Sequence, residues 1–137
     1  MVPVLGGEGR FLWFNHTSAR GESWINIGEV VLVYPDEEQA REGWAKQREK
    51  YFPSEAWEEI PELVFPYRAD EMEVRRLEGY VNGFHHHACG AVGRYGRVVI
   101  VVLGNVFDDR WLTMEEFREV LEAADRRAAE AVAAVQR

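Results

Sequence analysis

The residues best able to do chemistry in this chain lie in one short run: His85, His86, His87 and Cys89. They sit inside a β-like segment, where side chains alternate between faces. His85, His87 and Cys89 then share one face, and His86 takes the other. His-x-His on a strand can present two imidazoles to one metal ion, with a thiolate as the third ligand. Such a face suits zinc or copper. The chain has no CxxC or HExxH spacing that would supply further ligands. Cys89 beside histidines also has the residue types of a nucleophile–base pair. Residues two apart on a strand point in parallel, so that pair needs a partner from another strand. Cys89 reads better as a small buried hydrophobe.

Carboxylates form the second group. Glu58, Glu59, Glu62, Asp70, Glu71 and Glu73 gather around a segment punctuated by Pro61 and Pro66. Paired carboxylates can serve acid–base chemistry or hold a hard cation. No EF-hand spacing is present, so a solvated acidic rim is the expectation. Residues 61–70 are expected to be a mobile or functional loop. The run GAVGRYG (residues 90–96) lacks the Lys-Ser/Thr of a phosphate loop. No GxSxG nucleophile elbow occurs.

Aromatics form the third group. Five tryptophans are many for 137 residues, and large aromatics either fill a core or line a concave site. Trp13, Trp57 and Trp111 are the candidates for a ligand-binding wall near the 61–70 loop.

Net charge is −8, which argues against nucleic acid as a partner, since that role needs a basic patch. The same acidity argues against an anionic membrane surface. No run is apolar enough to span a bilayer, so membrane insertion is not expected. With Cys89 as the single cysteine, an intrachain disulfide cannot form. The first ten residues have no apolar signal-peptide core. The expected compartment is cytoplasmic, or extracytoplasmic if a signal peptide has been removed.

Those residues must be positioned by regular elements. Residues 1–10 are glycine-rich and read as loose. Residues 11–15 read as an edge strand. Residues 24–34 (WINIGEVVLVY) form a strand apolar on both faces, ended by Pro35. Asp36 and Gln39 then give a capping-box pattern. The helix that follows carries Ala40, Trp44 and Tyr51 and stops at Pro53. Ser54 is placed to cap a short second helix. Three strands come next, at 72–81, 84–92 and 97–103. Asn82-Gly83 and residues 93–96 supply the turns between them, and such short links make a meander. The run VVIVVL in the last of them predicts a central strand. A final helix opens with Thr113 and Glu116 as a capping box. Met114, Phe117, Val120, Leu121, Ala124, Ala128, Ala131, Val132 and Val135 form its apolar stripe.

The order β-β-α-α-β-β-β-α predicts one α+β domain. Its core is a five-stranded, mainly antiparallel sheet with helices on one or both faces. Three segments also resemble the PsbP-like sensor domains of bacterial lipoproteins and receptor kinases. They are VLVYP leading into DEEQAREGW, RYGRVVIVVLG, and LTMEEFREVLEAADRRAAEAV. The resemblance implies an α/β/α sandwich and a non-enzymatic, extracytoplasmic binding or sensing role. It transfers no site residue. The expected function is therefore non-catalytic binding of a small molecule or protein partner. The alternatives are a metal protein or small metalloenzyme using His85, His87 and Cys89, and an assembly protein pairing through residues 11–15.

Overall fold

The computed structural model describes residues 2–4, 7–17, 23–81, 84–107 and 113–135. Side-chain burial is described for 27–61, 63–79, 87–106 and 113–134. Among the described residues seven strands form one sheet: β1 (Val2–Val4), β2 (Gly7–Thr17), β3 (Ser23–Val33), β4 (Glu58–Glu59), β5 (Glu71–Val81), β6 (Phe84–Tyr95) and β7 (Val98–Phe107). Their spatial order is β1-β2-β3-β7-β6-β5-β4, and every neighbouring pair is antiparallel. Five strands of ten to twelve residues carry the sheet. The short β1 and β4 extend its two edges. Residues 2–4 and 7–10, expected to be loose, are thus paired in strands. The Asn82-Gly83 turn lies outside the described residues.

Helix α1 (Glu37–Tyr51) and helix α2 (Met114–Val135) lie on opposite faces. The reason is visible in β7. Val99 and Val101 pack with Leu32, Tyr34, Ala40 and Val92 under α1. Ile100, Val102 and Val106 pack with Phe117, Leu121, Ala124 and Ala128 of α2. A strand apolar on both faces has to be covered on both, and Val99 through Val102 are at most 1% exposed. The central position of VVIVVL follows from that burial.

Both helices start where their capping residues dictate. Asp36 accepts from Gln39 N at 2.8 Å. Thr113 Oγ1 accepts from Glu116 N at 3.1 Å, while Glu116 Oε1 accepts from Thr113 N at 3.0 Å. Each satisfies an amide that the first helical turn leaves unpaired. The expected short helix after Ser54 does not form. Ser54 instead closes a turn, accepting from Ala56 N and Trp57 N, and the chain enters β4. One turn of 3-10 helix follows at Pro61–Leu63, where proline suits the first position because its missing N–H has no partner to lose. No helix among the described residues is long and apolar enough to cross a membrane.

Candidate functional site

Among the described residues, aromatic and charged side chains gather around an open space where α1 ends above β5. The helix stops at Tyr51 because Pro53 cannot continue it. Phe52 caps it, donating its N–H to Arg48 O at 2.8 Å. The Phe52 ring then turns onto β6 over Gly90. A Cβ at Gly90 would lie 2.9 Å from Phe52 Cε1, so glycine is what permits this approach. The Ser54 turn and the pairing of Glu58 and Glu59 with Arg76 and Arg75 return Trp57 to the same place. The Phe52 and Trp57 ring centroids are 5.3 Å apart and tilted by 51°, a favourable aromatic geometry.

These rings form one wall of a cleft of about 470 Å³, within the size range of small-molecule sites. Its other wall is a chain of ions projecting from α1 and β5. Glu73 Oε2 accepts from Arg48 Nη1 at 3.1 Å, and Glu73 Oε1 accepts from Arg75 Nε at 2.8 Å and Nη2 at 2.7 Å. Arg75 also reaches Glu59 at 3.9 Å. Arg48 lies 5.4 Å over the Trp44 ring, and Trp44 is held by a 2.8 Å bond from Nε1 to Val92 O. Glu73 is only 17% exposed, while Arg48 is 44% and Arg75 28% exposed. Both oxygens of the inner carboxylate are therefore occupied, and the two guanidiniums retain donors. The exposed Glu49 and Glu55 complete the opening.

Trp57 is the predicted site tryptophan that lines this cleft. Trp13 lies in β2, paired with Gly28. In the strand order β2 and β4 are five steps apart, roughly 24 Å at normal strand spacing. The sheet thus does not bring Trp13 and Trp57 together. Trp111 lies outside the described residues. No motif or spacing in the sequence groups Phe52, Arg48, Glu73 and Arg75 as one site. Glu73 and Arg75 alternate on β5 with the apolar Met72 and Val74, a period-two signal placing both on one face. Nothing in the sequence says that this face meets the end of α1.

His85, His87 and Cys89 lie at alternate positions of β6, as expected, with Cys89 opposite Arg76 and Gly104. Cys89 is 2% exposed and packs in the apolar cluster under α2. Its thiol lies 3.7 Å from the His87 carbonyl oxygen, which it faces as a donor. His87 is half-buried, and the His85 side chain lies outside the described residues. No group of three or more His, Cys, Asp or Glu among the described residues is placed to hold a metal ion.

The acidic loop is tied down by basic partners and by α2. Arg94, 7% exposed, donates to Glu71 at 2.7 Å and pairs with Asp70 at 3.5 Å. Asp70 also accepts from Gly96 N at 2.7 Å, and Gly96 turns with φ of 59°, a conformation glycine adopts without penalty. Ile60 and Leu63 are buried. Asp125, inside the buried face of α2, accepts from Arg68 N at 3.1 Å and from the Tyr95 hydroxyl at 2.5 Å. Tyr67 donates to Leu63 O at 2.6 Å. The segment 61–70, expected to be a mobile or functional loop, is thus anchored to the core at Leu63, Tyr67 and Arg68, while Val64 stays exposed. Burial first, then the Asp125 hydrogen bond, pushes the Tyr95 phenol far above its ordinary range. Burial and the nearby Asp125 charge do the same to Tyr67. Both phenols are held protonated as hydrogen-bond donors, which is a structural role.

Neither a protein-family model, nor a curated protein, nor a solved structure matches this chain.

Proposed function

We propose that this protein is a non-catalytic binding domain whose ligand occupies the cleft between the end of α1 and β5. The observation that carries this reading is the convergence of the Phe52–Trp57 wall with the Arg48–Glu73–Arg75 ion chain around one small-molecule-sized space. The cleft offers a ligand one aromatic face, Phe52 and Trp57, and one charged face, Arg48, Glu73 and Arg75. The ion chain has both charge signs in mutual contact, and both oxygens of its inner carboxylate already accept from guanidiniums. That arrangement suits recognition, since the carboxylate is engaged and the arginine forks are held in place. The sensor-like role implied by the PsbP resemblance accords with this reading.

The test is a thermal-shift and NMR screen of a chemically diverse fragment set. A native-state ligand raises apparent stability, and binders are expected to shift the Trp57 indole N–H resonance. Trp57→Ala is expected to weaken those binders by about tenfold or more, as loss of a central aromatic anchor does. Binders that are indifferent to Trp57→Ala would sink the proposal, as would a screen with no binder.

A further inference from the structure

The charge arrangement of the cleft narrows its ligand class. Glu73 is the least exposed charged group of the ion chain, and both of its oxygens already accept hydrogen bonds from guanidiniums. A guanidinium carries five N–H donors and no acceptor. Arg48 uses Nη1 on Glu73, and Arg75 uses Nε and Nη2. Two cations thus share one inner anion: Arg48, Arg75 and Glu73 together carry a formal charge of +1, with donors in excess of acceptors, while Glu49 and Glu55 at the opening bring the whole lining to −1. Glu49, Glu55 and Glu59 are exposed, so their charges are screened by water and salt. They oppose an extended polyanion that would have to run past them. They act weakly on a small anion lodged inside. The Phe52–Trp57 wall asks for a flat apolar body.

Resting on the binding reading above, we infer that the ligand is a small organic monoanion: a carboxylate on a flat, apolar frame. Its carboxylate takes the remaining donors of Arg48 and Arg75, and its body lies against Trp57 and Phe52. Arginine suits this because its planar fork matches a carboxylate.

The test uses three probes of one shape on the full chain: 3-phenylpropionate, its neutral amide 3-phenylpropionamide, and the cationic 3-phenylpropylamine. Binding is read from the Trp57 indole N–H resonance, assigned by its loss in Trp57→Phe. The carboxylate is expected to bind about tenfold more tightly than the amide, the scale of one charge-assisted contact, and the amine more weakly than either. Arg48→Gln is expected to lower carboxylate affinity several-fold and amide affinity by clearly less, so that the preference for the carboxylate narrows. Arg48 is exposed, so the variant is expected to fold, and its melting curve checks this. Equal affinity for carboxylate and amide, or preference for the amine, would overturn the anion inference and leave the binding domain standing. If none of the three probes and no fragment of the wider screen moves Trp57, the binding reading itself falls, and this inference with it.

Discussion

Tyr95→Phe tests the buried link between β6, α2 and the 61–70 loop. Tyr95 is 3% and Asp125 4% exposed, and the hydroxyl donates to Oδ1 at 2.5 Å. Phenylalanine keeps the ring and removes only that bond. A hydrogen bond to a charged acceptor contributes about 1.5–3 kcal/mol. The carboxylate retains the Arg68 amide at 3.1 Å, so the loss should stay within that range. We expect a destabilisation of about 2 kcal/mol. For a domain of this size, that is roughly 6–8 °C in Tm. Urea unfolding at neutral pH followed by circular dichroism measures it. A second arm uses alkaline pH. The folded-state pKa of Tyr95 is raised above its unfolded value, so the folded chain holds this proton more tightly. Its contribution is complete below about pH 10 and is lost as pH rises above that, at up to about 1.4 kcal/mol per pH unit. Tyr67 and Tyr34 shift in the same direction and remain in the variant. Tyr95→Phe should therefore lose stability less steeply above pH 10 than the parent. A variant within about 0.5 kcal/mol of the parent, with an unchanged alkaline slope, would refute the reasoning.

Phe117 is fully buried at the start of α2, and Phe117→Ala should destabilise by about 3–5 kcal/mol in urea unfolding, combining lost transfer energy with a cavity. Gly43→Ala would favour an isolated helix by up to about 1 kcal/mol. Here the added methyl would fall on the buried Tyr34 ring, so a net loss of about 1–3 kcal/mol is expected, and a raised Tm would contradict the packing. Cys89 is buried, so its reaction with a thiol reagent should be slower than in denaturant by about 100-fold or more. Rapid labelling of native protein would place that thiol elsewhere.

Much of the fold is carried by local signals. Asp36 and Thr113 start their helices because their side chains satisfy neighbouring amides, an interaction within three residues. The VVIVVL run announces burial on both faces of β7 because consecutive residues of a strand point to opposite sides. The β5–β6–β7 meander follows from short connections. Ser54 shows where local reading stops: its side chain suits a helix cap equally well, and pairing of β4 with β5 decided for a turn.

The site was less legible because its parts meet only across the sheet. Trp57 was recognisable by type, as a large aromatic in a polar segment. Its partners are an arginine from one turn before the end of α1, a phenylalanine that needs Gly90 beneath it, and an ion pair presented by β5. The acidic residues looked like a solvated cluster because the arginines that neutralise them lie up to twenty-five residues away. Asp125 was hidden for the same reason, as its acceptors' partners come from a loop and a strand thirty and more residues distant. What the chain determines alone is which residues pair with near neighbours and which faces must be covered. The tertiary structure decides which charges meet and which rings enclose a space, because strand order and helix placement set those distances.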